Sequence, residues 1–326
     1  MPFQTPILLI TFNRPNHTQQ VFDEIKKQKP VKLFVFQDGL RVGNILDIEK
    51  CKAVRTIFET QLDWDCELHT NFSSVNLGCG KGPSTGISWF FEHVEQGLIF
   101  EDDAVPNSDF FQYAEELLKR YKENVDIRAI SSMKVDQKIY GDASYYFTML
   151  NRNLCAWATW KRAWKDFDYY MEKTTGTDLK KALKKYRVTI RENDYWRERL
   201  DEIHTNRLNE SSWDMQFVLS IWLNYGKGIA PNVNLSTNIG FDVEGTHTTS
   251  SDNPAANLQT YSILPLVHPD DLKMNRKSDL NYHKLYFQPL DYGISGIKRM
   301  PFRLNKKIKR YFGHEGSWIR KNNAIM

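Results

Sequence analysis

Leu98-Ile99-Phe100-Glu101-Asp102-Asp103-Ala104-Val105-Pro106 is the stretch that decides the fold. Gly97-Leu98-Ile99-Phe100, apolar on both faces and opened by a glycine, predicts a buried strand. Three acids follow it directly. Adjacent carboxylates at the carboxyl end of a strand repel each other and cost stability unless a cation or sugar hydroxyls absorb the charge. In open α/β sheets that edge is where ligands bind. The acids therefore have two readings. One is a divalent metal held by one or two carboxylates plus the oxygens of a bound diphosphate. The other is a solvated acidic turn.

Working outward, the first half alternates strand and helix signals. Strands are predicted at 6–12, 32–36 and 66–72, and Asn13-Arg14-Pro15-Asn16 is a turn. Helices are predicted at 17–28, over the face marked by Ile45, Ile48, Cys51, Val54, Ile57 and Phe58, and over Ile87, Phe90, Phe91 and Val94. After Pro106, Asn107 or Ser108 caps a helix bearing Phe110, Phe111, Ala114, Leu117, Leu118 and Tyr121. Repeated β-α order predicts a largely parallel sheet with helices on both faces. The second half is less regular. Strands are predicted at 128–132 and 145–150, while 153–164 is aromatic and mixed. Residues 178–186 and 191–206 read as charged surface helices, and Ser211-Ser212-Trp213-Asp214 opens a helix to about residue 225. The Asn-, Gly-, Ser- and Thr-rich stretch 232–251 reads as loop.

Composition bounds the class. The 326 residues, 41% hydrophobic and 26% charged, suit a soluble globule of one large or two smaller domains. A net charge of +4 is too small for a general nucleic-acid binder. Cys51, Cys66, Cys79 and Cys155 show no CxxC spacing, so neither a disulfide framework nor a zinc site is expected, and a reducing cytoplasm fits. No basic residue precedes the first apolar run, so no signal peptide is expected, and no run nears the ~20 apolar residues of a membrane span. Aromatic residues, 13% of the chain and dense in its middle third, suit a sugar-binding cleft or an aromatic core.

Four further groups invite chemistry. Gly78-Cys79-Gly80-Lys81-Gly82 reads as a glycine-rich loop. It is not a P-loop, because Lys81 precedes Gly82 and no Gly-Lys-Ser/Thr follows, and Pro83 breaks the GxGxxG pattern. Lys81 touches a diphosphate or is solvated. Asp38 ends the second strand; it accepts from the N3–H of uracil, or it is the turn aspartate of an Asp-Gly pair. Asp214 falls in a helix's first turn beside Trp213, as a general base or as an acid that suits the helix dipole. Trp157 and Trp160 line an acceptor site or pack in the core.

Four stretches in this order carry a family resemblance: Ile10-Thr11-Phe12-Asn13-Arg14-Pro15; Val35-Phe36-Gln37-Asp38-Gly39; Phe100-Glu101-Asp102-Asp103 followed by Pro106-Asn107-Ser108-Asp109-Phe110-Phe111; and Trp213-Asp214. The chain resembles GT-A nucleotide-sugar glycosyltransferases, most of all the inverting N-acetylglucosaminyltransferase I type. The resemblance covers residues 5–115 well and 150–250 loosely. It implies that Asp103 coordinates Mn²⁺ (or Mg²⁺), Asp102 bonds the ribose, Glu101 contacts the donor sugar, and Asp38 reads the uracil. It also implies that the turn from Thr11 through Asn13 to Arg14 lines the nucleotide and that Asp214 is the base. Gly245-Thr246-His247-Thr248-Thr249 resembles the loop that closes near the donor phosphates, with His247 a phosphate ligand or an ordinary loop histidine. One departure stands out: small residues occupy 84–86, where the family's helix offers a histidine.

The expected protein is a GT-A-like Rossmann-type α/β fold with a mixed, mostly parallel sheet flanked by helices and a C-terminal basic extension. Residues 1–264 would form the catalytic domain (1–130 the nucleotide-sugar half, 131–264 the acceptor half), and 265–326 the extension. The expected activity is metal-dependent, inverting transfer from a UDP-sugar, such as UDP-N-acetylglucosamine, to a glycan or lipid-linked saccharide in polysaccharide biosynthesis. The alternatives are a retaining transferase or nucleotidyltransferase of the same fold group, or a non-catalytic carbohydrate-binding protein. Residues 293–312 contain seven basic residues and no acid, interleaved with apolar ones. They suit peripheral contact with an anionic membrane at its cytoplasmic face, a solvated tail, or a strap on the catalytic domain.

Overall fold

The computed structural model describes residues 2–136, 138–149, 154–205, 212–241 and 255–286. In chain order these form β1 (Ile7–Thr11), α1 (Pro15–Gln28), β2 (Lys32–Gln37), α2 (Ile45–Gln61), β3 (Glu67–Phe72), α3 (Gly78–His93), β4 (Gln96–Glu101), β5 (Ala104–Pro106) and α4 (Ser108–Arg120). Then follow β6 (Ile127–Ser131), β7 (Tyr145–Thr148), β8 (Ala156–Trp160), α5 (Lys161–Trp164), α6 (Gly176–Lys185), α7 (Ile190–His204), α8 (Asp214–Leu223), β9 (Lys227–Pro231), β10 (Ser236–Asn238) and α9 (Arg276–Tyr286).

Eight strands make one sheet in the order β3-β2-β1-β4-β8-β6-β9-β7. The pairs β3-β2, β2-β1, β1-β4 and β6-β9 are parallel; β8 runs antiparallel to both β4 and β6, and β7 antiparallel to β9. The expected architecture, an α/β fold with a mixed, mostly parallel sheet flanked by helices, is therefore the observed one. The basic segment 293–312 lies outside the described residues.

Both faces of the sheet are covered because its strands are apolar on both. Ile7, Leu9, Leu98 and Phe100 face α1, α2 and α4 through Val21, Val54, Phe110 and Phe111. Leu8, Ile10, Phe34, Phe36 and Ile99 face the other way, into a core built from α3 and α5 to α8. The local signals that start these helices are ordinary ones. Asn107 caps α4 by accepting from the Phe110 N–H, and Thr175 and Thr189 build capping boxes with Asp178 and Glu192 at the starts of α6 and α7.

Several local expectations are corrected. The aromatic stretch near 156–160 is β8, fully buried between β4 and β6. Its run Ala156-Trp157-Ala158-Thr159-Trp160 shows no alternation because both of its faces are core. Helices α6 and α7 are not merely surface helices, since Leu179, Leu183, Trp196, Leu200 and Ile203 are buried in the main cluster. Within the stretch expected to be loop, Ser236–Asn238 pairs antiparallel with β5. Residues 78–82 are not a loop either: they are the first turn of α3. The glycines there serve packing. A Cβ on Gly86 would lie 2.7 Å from Phe36 Cγ, and one on Gly82 would lie 3.2 Å from the Asp38 carboxylate. Small residues at these positions, one helical turn apart, let α3 lie against the end of β2.

That contact makes a stability prediction. Gly86→Ala should destabilise the fold by about 1–3 kcal/mol, the usual cost of overpacking, despite alanine's better helix propensity. Urea unfolding at neutral pH measures it; a variant as stable as the parent would show that α3 does not need this close approach.

Candidate active site

The strand register gathers the sequence's candidates at one edge. Thr11 of β1 pairs with Gln37 of β2, and Ile10 pairs with Glu101 of β4. The three parallel carboxyl ends therefore coincide, bringing the 12–14 turn, Asp38 and the 101–103 acids together. Antiparallel β8 presents its amino end at the same edge, where the Cys155 carbonyl accepts from the Glu101 N–H at 2.8 Å. Beyond β5 and β10, the Ile239 N–H donates to the Asp103 carbonyl at 2.9 Å. Gly240 then passes so close that a Cβ on it would clash with Asp103 Oδ2.

Arg14 lies across the acids. Its Nη2 donates to Asp102 Oδ1, its Nε to Asp102 Oδ2 at 3.4 Å, and its Nη1 to Asp103 Oδ2 at 3.0 Å. All three side chains are largely buried. Burial opposes the guanidinium's charge, but Asp102 and Asp103 outweigh it and raise its pKa. Burial also pushes Asp102 up, with Arg14 pulling the other way. Both Asp102 oxygens are thus engaged, and a ribose hydroxyl would have to share them with Arg14. The remaining oxygen of Asp103, Oδ1, is buried and has no hydrogen-bond partner. An orphaned carboxylate oxygen at a strand end is the donor a hard cation takes, so the residues fit Mn²⁺ or Mg²⁺. Among the described residues no three His, Cys, Asp or Glu side chains form a metal cage.

Asp214 opens α8, as the sequence predicts, and the Ser212 hydroxyl donates to its Oδ1 at 2.6 Å. It lies near enough to the acids for its charge to raise the pKa of Glu101 and of the Cys155 thiol, burial being the larger cause for each. The link between α8 and β4 is Trp213, whose indole N–H donates to Glu101 Oε1 at 3.2 Å. Its ring is buried and stacked on Trp157, centroids 5.6 Å apart. Trp157 and Trp160 are both core residues.

The other candidates are placed as follows. The Thr11 hydroxyl donates to the Phe36 carbonyl at 3.1 Å. The Asn13 amide donates to Asp47 Oδ1 at 2.7 Å. Asp47, buried and bridged to Arg41, is held down at about 2 chiefly by that arginine; it braces the turn and was not singled out in the sequence. The Asp38 carboxylate accepts from the backbone N–H groups of Gly39, Leu77 and Gly78 at 2.8, 2.8 and 2.9 Å, and from Asn76 Nδ2 at 3.2 Å. Burial raises its pKa and those backbone donors oppose the rise. It anchors the start of α3, so a uracil N3–H would add to an already satisfied carboxylate. Lys81 is exposed in the first turn of α3, and His247 lies outside the described residues.

No family model matches the chain, and no curated protein matches it. Among solved structures it is similar to a UDP-glucose pyrophosphorylase complexed with UDP-glucose, at 10% identity over 71% of this chain and 90% of that one, with a TM-score of 0.36. It is also similar to mouse xyloside xylosyltransferase 1 (10% identity, 68% and 82% covered, TM-score 0.32). HddC from Yersinia pseudotuberculosis is a third (6% identity, 50% and 80% covered, TM-score 0.33). Likeness at this level assigns the chain neither a family nor a reaction.

The charge at the edge has a measurable signature. Burial first, then Asp103, push Glu101 up to about 8 against the opposing Trp213 N–H. Its ordinary value is about 4.3. The folded chain therefore keeps this proton over a range in which the unfolded chain has lost it. The stability it confers is full below the unfolded pKa and is lost as the pH rises through the folded one. In metal-free buffer, the urea midpoint of the parent should fall more steeply than that of Glu101→Gln between about pH 5 and pH 9. Parallel pH profiles would mean that Glu101 is ionised throughout.

Proposed function

We propose that the protein is a metal-dependent, inverting glycosyltransferase that moves a sugar from a UDP-sugar, with UDP-N-acetylglucosamine the first donor to try, to a glycan or lipid-linked saccharide. One observation carries this reading. A buried acid cluster with one unpartnered carboxylate oxygen on Asp103 lies at the carboxyl end of β4, within electrostatic reach of Asp214 at the start of α8.

Inverting transfer is a single displacement at the anomeric carbon. A carboxylate takes the proton of the acceptor hydroxyl as it attacks, and the nucleoside diphosphate leaves from the opposite face. Asp214 is the base in this reading, with Ser212 orienting it through the 2.6 Å hydrogen bond. Glu101, steered by the Trp213 N–H, faces the donor sugar. Asp103 would hold Mn²⁺ or Mg²⁺, which neutralises the departing diphosphate. Asp38, Thr11, Asn13 and Lys81 border the nucleotide, Asp38 through the α3 backbone it organises. A nucleotidyltransferase would use the same edge and the same acids, but it has no need of a base at Asp214. Its product is pyrophosphate rather than UDP.

Among the described residues no helix is long and apolar enough to cross a membrane. A lipid-linked acceptor would then be met at the surface, and the seven basic residues of 293–312 suit an anionic leaflet at about 1 kcal/mol each.

Asp103→Ala should abolish the Mn²⁺-dependent thermal stabilisation by UDP, since the cation loses its protein ligand. Asp214→Asn should lower turnover by roughly 10²–10⁴ with donor binding nearly unchanged. Release of pyrophosphate from a nucleoside triphosphate, or a product with retained anomeric configuration, would overturn the inverting-transferase reading. For the membrane contact, full-length protein should sediment with anionic vesicles and a truncation before Gly293 should not; equal sedimentation of the two ends that part of the reading.

A further inference from the structure

Arg14 is more than a residue of the nucleotide turn. Three of its N–H groups are spent on two neighbouring carboxylates: Nε and Nη2 on Asp102, and Nη1 on Asp103 Oδ2 at 3.0 Å. Its backbone is fixed as well. The Arg14 carbonyl accepts from both the N–H and the hydroxyl of Thr18, at 2.9 Å each, and Pro15 starts α1 immediately after it. The guanidinium is thus delivered from β1 to acids that would otherwise lie buried side by side without a counter-charge. His17, in the first turn of α1, adds a smaller electrostatic pull on Asp102.

The two arms are not equivalent. Asp102 takes two of the N–H groups and uses both of its oxygens. Asp103 takes one and leaves Oδ1 buried without a partner. A divalent cation at Oδ1 would stand beside the Nη1 arm with like charge, in a setting where water screens poorly. Asp103 cannot serve both positive groups at full strength.

We propose that Arg14 and a divalent cation exchange at Asp103. In the metal-free protein the guanidinium is the counter-charge of Asp103; cation binding displaces its Nη1 arm, while Asp102 keeps the rest of the side chain in place. This rests on the reading that Asp103 takes the cation, and adds that the protein carries its own competitor for that metal. The competitor keeps the acid edge formed before any donor arrives, at the expense of cation affinity.

The test is Mn²⁺ binding, followed by the loss of the free-ion electron paramagnetic resonance signal, on the full chain without nucleotide. Arg14→Met removes the competitor, so Mn²⁺ should bind it about tenfold tighter or more, within the usual range for coupled sites. Its metal-free melting temperature should fall, and Mn²⁺ should restore more stability to it than to the parent. Arg14→Lys keeps a charge but loses the fork. It serves if the methionine variant does not fold, and its affinity should exceed that of the parent. If the parent binds Mn²⁺ and the variants bind it equally or more weakly, the exchange is wrong and the metal reading stands. If none of the three binds Mn²⁺ alone, the same comparison is read with UDP present against a protein-free Mn²⁺–UDP control: binding by the parent that the variants do not exceed overturns the exchange, and no binding by any of the three overturns it together with the metal reading.

Discussion

Two neighbouring carboxylates cannot be buried side by side at a strand end without a counter-charge, and this constraint organises the protein's functional edge. The electrostatic cost of Asp102 and Asp103 is met chiefly by one guanidinium. Removing one partner from such a buried arrangement typically costs roughly 3–5 kcal/mol, because the remaining charge is left uncompensated. The geometry that permits the pairing is the parallel alignment of β1 with β4. It places the turn after one strand beside the acids after the other.

The same edge depends on a second buried carboxylate, used in a different way. Among the described residues Asp38 pairs with no cation. It is satisfied by the backbone N–H groups at the start of α3 and by Asn76. That helix can come so near only because Gly82 and Gly86 present no side chain to Asp38 and Phe36. The absence of side chains at Gly82 and Gly86 is therefore a condition of this packing. Asp47, braced by Arg41 and Asn13, is a third buried acid stabilising the neighbouring loop. Each of these carboxylates is thus tied to a specific partner at or beside the edge.

The two halves of the chain meet through β8. Its antiparallel run beside β4 brings Cys155 to the acids, and Trp157 carries the stacked ring of Trp213. Trp213 in turn donates to Glu101 and precedes Asp214. One indole thus joins the acid strand to the helix that bears the proposed base. The polar stretch after β9 behaves similarly. Ser236–Asn238 pairs with β5, and Gly240 closes against Asp103.

The order of elements in the first half, the class of the sheet, and the position of Glu101, Asp102 and Asp103 at a strand end were legible in the residues alone. Apolar periodicity and turn chemistry are local and leave their mark on short windows of sequence. So was Asp214 in the first turn of its helix, since a polar cap before an apolar run is also local. What each side chain would face was not legible. Arg14 and Asp102 stand 88 positions apart, and Trp213 and Glu101 112 apart. Nothing in either neighbourhood specifies the partner. Strand β8 carried no alternation because both its faces are buried, and the glycines of α3 looked like a loop because their reason is a neighbour in space. Pairings of this kind are set by which strands lie adjacent and how closely helices approach them, and only the packed tertiary structure decides that.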